Sequence, residues 1–247
     1  MKPEGPLKRL QVVIAELGIA SRRAAEILIQ EGHVRVNGLV VSKQGLKVNP
    51  EVDRIEVKGK LISLSAQAKH YYLFHKPLGV TTTLRDPHAK RIIADYFKNI
   101  PVRLFPAGRL DQDSTGLLLM TNDGELVHRL THPRYGIKKH YQVRVDRKLS
   151  PAQLDQFRKG LELEGKRTAP CEIHFLSSDS EGKAEYEVIL HEGKKRQIRL
   201  MMKKIGAQVI CLRREKYGPL SLGDLKPGEK RPLSADEIKM LKKEVFK

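Results

Sequence analysis

A chain of 247 residues with 40% hydrophobic side chains is long enough to bury one sizeable core, or a medium core and a small one. Lys and Arg outnumber Asp and Glu by 47 to 29, leaving a formal charge of +18 and a pI near 9.9, the electrostatic footprint of a nucleic-acid binder. Two cysteines, Cys171 and Cys211, with no Cys or His partner at ligand spacing, argue against a disulfide scaffold and a zinc site, and no stretch approaches the ~20 apolar residues of a membrane span.

At the N-terminus an apolar run is interrupted by Gln11 and Glu16 and lacks a cleavage pattern, so no signal peptide is read there and a reducing, cytoplasmic setting is expected. Leu10, Val13, Ile14 and Leu17 recur at helical spacing, and Gly18 is placed to end that helix. Ser21 stands where an N-cap belongs, ahead of a second helix running through Ile29 and closed by Gly32. HVRVNGLVV, residues 33–41, alternates around Asn37-Gly38, a strong hairpin signal. Taken together, residues 9–38 resemble the S4 RNA-binding domain, with the Ser-Arg-Arg helix start and the Val-Asn-Gly hairpin in the family's order. The resemblance implies that Arg22 and Arg23, with Arg9 and Arg35 on the same small module, face RNA phosphates and position the molecule without reading its sequence.

SLSAQAK is small and polar and marks a linker, placed at 67–70 between a module at 1–66 and a larger domain at 71–247. Eleven basic and seven acidic residues leave the first module at +4, so +14 of the charge belongs to the rest. Beyond the linker, YYLFHKP, YQVRV and YEVIL read as strands, while RIIADYF, PAQLDQFRKGL, KRQIRLMMKKI and SADEIKMLKK read as helices. Their irregular order predicts an α+β domain with a mixed, mainly antiparallel sheet and flanking helices. Neither GxGxxG nor GxxxxGK[ST] is present, so no nucleotide cofactor is expected.

The most informative segment is GRLDQDSTGLLLMTNDGEL, residues 108–126. A carboxylate at Asp111, after Gly108-Arg109-Leu110 and inside a strongly basic chain, suggests a nucleophile or base aimed at a polyanion. On residue type alone Asp113 competes for that role, whereas Asp123 reads as a helix cap before ELVHRL. HKPLGVTTT at 75–83, this segment, KHY at 139–141 and GKKRQIRLMM at 193–202, in this order, resemble the catalytic domain of pseudouridine synthases. The likeness is to the subfamily that joins an S4 domain to ribosomal RNA modification, and within it to the large-subunit enzymes.

That resemblance implies a cofactor-independent and metal-free isomerase acting on ribosomal RNA, as free RNA or in an assembling subunit, by a monomeric protein with no membrane attachment. The GRLD match sets the catalytic Asp at 111. Arg109 would help swing the uridine out, and Tyr141 would line the pocket beside the uracil. Arg199, on the border of the apolar stripe of its helix, would be the ion partner of Asp111. Lys76, Lys139, Lys195 and Arg196 would face RNA phosphates. Leu200 stands where many relatives have a second arginine, a change that bears on RNA affinity or site choice. Small-subunit 16S RNA in place of 23S RNA, and a non-catalytic ribosome-assembly factor, are the competing readings.

Overall fold

In the computed structural model, which describes residues 7–62 and 68–246, the chain divides into two units, Met1–Lys69 and His70–Lys247. Of the linker expected at 67–70, position 67 lies outside the described residues. The first unit runs β1 (Lys8–Arg9), α1 (Leu10–Glu16), α2 (Arg22–Gln30), β2 (Val34–Val36), β3 (Leu39–Val40), β4 (Lys47–Val48), β5 (Ile55–Val57) and β6 (Lys60–Leu61). The predicted stripe of α1 turns inward, so Leu10, Val13 and Ile14 pack with Ala25 and Ile29 of α2 and with Val34 and Ile55.

Ser21 caps α2 by accepting the amide N–H of Ala24 at 3.1 Å. The expected hairpin forms at Asn37-Gly38, both at positive φ, and joins β2 to β3 within a four-stranded sheet ordered β3-β2-β5-β6. Asn37 is held in that conformation by its side chain, which donates to Asp53 and accepts from the Arg54 amide, each at 2.9 Å. The result is a small frame from which Arg9, Arg22, Arg23 and Arg35 are all exposed.

The second unit comprises β7 (Tyr71–Lys76), a 3₁₀ turn at Ile93–Phe97, β8 (Phe105–Pro106), β9 (Thr115–Thr121), α3 (Gly124–Thr131), a 3₁₀ turn at Pro133–Tyr135 and β10 (Lys139–Val145). Then follow α4 (Pro151–Arg158), β11 (Glu162–Leu163), β12 (Lys166–Arg167), β13 (Glu172–Ser178), β14 (Ala184–Leu190), α5 (Gln197–Lys204), β15 (Val209–Tyr217), β16 (Leu220–Ser221), β17 (Lys230–Pro232) and α6 (Ala235–Val245). Nine strands form one sheet whose main path is β13-β14-β10-β15-β9-β7-β17. Its pairings are antiparallel except for β9 with β15, so the predicted α+β class with a mixed, mainly antiparallel sheet holds.

Strand alternation divides the apolar residues between the two faces of the sheet. Phe74, Leu118, Met120 and Val143 pack with Phe157 of α4 and with Ile198, Met201 and Met202 of α5. Leu73, Leu117 and Leu119 pack on the other face with Leu126 and Leu130 of α3 and Leu241 and Val245 of α6. Asp123 caps α3 as expected, accepting from Leu126 N–H at 3.2 Å. RIIADYF, predicted as a helix, shortens to the turn Ile93–Phe97. Ile92 is held extended by a bridge to Thr81, and Pro101 follows soon after, which leaves too few residues for an α-helix to propagate. Among the described residues no helix is long and apolar enough to cross a membrane.

Candidate active site

The segment singled out in the sequence splits in two. Residues 115–121 become β9, and residues 108–114 form the loop that leads into it. That loop is tied down along its length by the HKPLGVTTT segment. The Thr82 hydroxyl donates to the Leu110 carbonyl at 2.6 Å and accepts from the Leu110 amide at 3.3 Å. Gly79 N–H donates to the Gln112 carbonyl at 2.9 Å, and the Gln112 side chain returns a bond to the Gly79 carbonyl at 3.3 Å. Ser114 N–H closes a turn onto the Asp111 carbonyl at 3.1 Å. A loop anchored this often holds Asp111 in a defined place.

Asp111 lies half-buried on the wall of a cleft of about 380 Å³, shared with Arg109, Ser114, Lys139, Tyr141, Lys195, Arg196 and Arg214. No hydrogen bond or ion pair from a described residue reaches its carboxylate. The floor follows from strand register. Tyr141 of β10 stands opposite Arg214 of β15, which stands opposite Gly116 of β9, which stands opposite Lys76 of β7. A bulge between His140 and Tyr141 shifts the β10–β15 register at this point, re-aiming side chains beside the cleft. Gly116, at φ +107°, allows β15 to approach closely: a Cβ there would meet the Arg214 carbonyl oxygen at 2.3 Å.

Two cations at the cleft are buried. Arg214 is 2% exposed; its Nε donates to the Leu117 carbonyl at 2.7 Å, and its guanidinium carbon lies 4.8 Å from the centre of the Tyr217 ring. Lys139 is buried as well, donates to the Ile137 carbonyl at 3.2 Å and lies 5.5 Å from the same ring centre. Burial, reinforced by the charge of Arg214 and partly offset by Glu192, pushes the Lys139 ammonium down to about 8.

The cleft thus gathers Asp111, Tyr141, Arg109, Lys139, Lys195 and Arg196 from the residues expected at the site, and two expectations are corrected. Arg199 is not a cleft-lining residue and does not pair with Asp111. Its Nη2 donates to the Asp113 carbonyl at 2.6 Å, its Nη1 to the Val209 carbonyl at 3.2 Å, and its Nε lies 3.2 Å from Oδ2 of Asp113, outside hydrogen-bond geometry. The turn at 111–114 is the reason: it leaves Asp111 at the cleft while Asp113 meets the start of α5.

Asp113 also takes a bidentate pair from Arg196, the residue that precedes α5, at 3.0 and 2.8 Å. Partial burial works against its charge, but the Arg196 hydrogen bonds and the Arg199 and Arg196 charges outweigh that and hold its carboxyl below the usual range.

Lys76, expected to face phosphates, is fully buried. Its ammonium donates to the carbonyls of Pro77 and Val80 at 2.8 Å each and reaches that of Gln112 at 3.5 Å, bracing the Asp111 loop from beneath. Burial pushes it down to about 8, against the pull of Asp113 and Asp111. Arg214, Ser114 and Gly116 went unremarked as site residues in the sequence. The available signal was strand parity: within CLRREKY, Leu212 and Arg214 share the inward face, whereas Arg213 points out. Among the described residues no group of three or more His, Cys, Asp or Glu side chains is placed to hold a metal ion.

Comparison with known proteins identifies the family of each unit. Residues 8–53 match the S4 domain family and residues 70–204 match the RNA pseudouridylate synthase family. The ribosomal large subunit pseudouridine synthase B of Bacillus subtilis is 43% identical over 237 residues, covering 96% of each chain. An uncharacterized RNA pseudouridine synthase of Aquifex aeolicus is 41% identical over 238 residues, covering 96% of this chain and 94% of its own. A solved pseudouridylate synthase superposes with a TM-score of 0.67 at 29% identity, over 94% of this chain and 99% of that one. The chain therefore belongs to the RNA pseudouridine synthases, a family of isomerases, and carries an S4 domain ahead of the synthase domain.

Proposed function

We propose that this protein converts a specific uridine of 23S ribosomal RNA to pseudouridine, with Asp111 as the catalytic nucleophile. The observation that carries the reading is a carboxylate on a braced loop, free of any protein partner among the described residues, at the mouth of a cleft rich in cations. Asp111 attacks C1′ of the flipped nucleotide while the C1′–N1 bond breaks and its electron pair stays on the uracil. The detached base turns, its C5 attacks C1′, and the carboxylate leaves. The proton lost from C5 balances the one gained at N1, so no water, metal or redox partner is consumed. Tyr141, 9% exposed on the cleft floor, packs against the base, and exposed Arg109 fills the space the uridine vacates.

The S4 module spans 1–66 and the synthase domain 71–247, joined at 67–70; exposed Arg9, Arg22, Arg23 and Arg35 hold phosphates without reading sequence. Exposed Lys195 and Arg196 do the same beside the cleft, and the protein works as a monomer in the cytoplasm, where the RNA is made. The likeness to a large-subunit enzyme favours 23S over 16S RNA. Asp111→Asn keeps the shape and removes the nucleophile, so it should lower single-turnover pseudouridine formation at least about 10⁴-fold while leaving RNA binding within about threefold. An active Asp111→Asn protein would overturn the assignment. Pseudouridine maps of ribosomal RNA from a deletion strain name the site, and an unchanged map would favour the non-catalytic assembly factor.

A further inference from the structure

Three donors at the cleft have unused capacity. Nη2 of Arg214 and Oγ of Ser114 are buried without a hydrogen-bond partner, and both residues line the cleft with Asp111 and Tyr141. Lys139 spends one bond on the Ile137 carbonyl, leaving two of its three protons for other acceptors. Neither Lys139 nor Arg214 is ion-paired to a described residue, and Glu192, whose charge reaches Lys139, is bonded to the Ala169 amide and the Gln197 side chain. Two buried cations and an orphaned hydroxyl are costly to keep unless something that enters the cleft supplies acceptors and negative charge. Among the described residues that line the cleft, the one carboxylate is that of Asp111, which the reaction uses.

We propose that Arg214, Lys139 and Ser114 form an anion-stabilising floor that receives the carbonyl oxygens of the detached uracil. When the C1′–N1 bond breaks toward nitrogen, the electron pair leaves the base as a uracil anion with charge spread over N1, O2 and O4, while C1′ becomes bonded to the Asp111 carboxylate. Donors fixed in advance at the oxygens stabilise that charge as it develops and need no rearrangement at the moment of cleavage. They also give the free base a surface on which to turn, because their bonds can pass from one carbonyl oxygen to the other. The floor is built into the sheet: Arg214 stands beside Tyr141 by strand register, and the missing side chain of Gly116 admits its backbone.

This inference rests on the proposed isomerase reading, and the test separates the two. Single-turnover rates of C1′–N1 cleavage, read as loss of the target nucleoside, would be compared for wild type and Arg214→Met on 23S transcripts made with uridine or with 5-fluorouridine. The fluorine stabilises the departing anion without help from the protein and leaves no C5 proton to lose, so that the rejoined base stops short of pseudouridine. Arg214→Met should lose about 10²- to 10³-fold on uridine and at least tenfold less on 5-fluorouridine. Lys139→Met should show the same pattern more weakly, and it serves if Arg214→Met does not fold. Equal losses on both transcripts, by whichever variant folds, would overturn the proposal. If equal losses came with an acid limb of the pH–rate profile moved upward, Arg214 would instead be acting on Asp111. Wild-type protein that consumed neither uridine nor 5-fluorouridine would sink the isomerase reading itself.

Discussion

Replacing Gly116 with alanine should damage both the sheet and the cleft. The residue sits at φ +107°, a region that costs an L-amino acid about 1–3 kcal/mol. Its new Cβ would lie 2.3 Å from the Arg214 carbonyl oxygen, 2.5 Å from its nitrogen and 2.9 Å from its carbonyl carbon, all backbone atoms that no rotamer change can move. Relief requires β9 and β15 to separate by roughly 1 Å, which weakens a pairing of only two residue pairs at about 1 kcal/mol per hydrogen bond. The sum is about 3–5 kcal/mol, or a fall in Tm of roughly 6–20 °C for a domain of this size. Gly136→Ala is the control, because it too has positive φ, at +61°, but nothing lies within 4 Å of its Cβ position. It should cost only about 1–2 kcal/mol. Thermal and urea unfolding of the two variants, with pseudouridine formation measured well below Tm, give the comparison. If Gly116→Ala were no less stable than Gly136→Ala and kept wild-type activity, the close approach would not matter as argued.

Asp113→Asn should cost about 0.5–1 kcal/mol at pH 7, since the pair with Arg196 and Arg199 is partly solvent-exposed. A carboxyl held below its unfolded value of 3.8 contributes stability above that pH and loses it as pH falls through the folded value, so the Tm gap to wild type should close below about pH 4. Lys139 titrates in the other direction, from 10.5 down to about 8. Between those values the folded chain has released a proton that the unfolded chain keeps, so stability from this group rises with pH. Lys139→Met should therefore gain up to about 3 kcal/mol at pH 7, and that advantage should shrink toward pH 10.5; a gap independent of pH would contradict the burial argument. A maleimide should label native protein at exposed Cys211 alone, because Cys171 is buried and burial pushes its thiol up to about 11. Rapid labelling of both would refute that placement.

How much of this was legible in advance depended on the range of the interaction. The S4 module follows from contacts close in sequence: the stripe Leu10, Val13, Ile14, the Ser21 cap and the Asn37-Gly38 turn each need only a few neighbouring residues. The same holds for strands β7, β10 and β14 and for the Asp123 cap. At Ile93–Phe97 the helical pattern is overridden by a bridge from Thr81, eleven residues upstream of Ile92.

The sequence by itself determined the class of molecule, namely a basic chain with an N-terminal S4 module and an α+β pseudouridine synthase domain that carries the GRLD motif. Only tertiary structure decided which charges stand around that acid. Arg199 meets Asp113 across 86 positions in the chain, Lys76 turns beneath the loop in place of facing RNA, and Arg214 rather than Arg213 is carried into the cleft. Strand parity is the physical reason for the last of these. A shift of one residue in the pairing of β15 would exchange buried Arg214 for exposed Arg213, and that register is set by Gly116 and by the bulge opposite Tyr141, not by any pattern local to the strand.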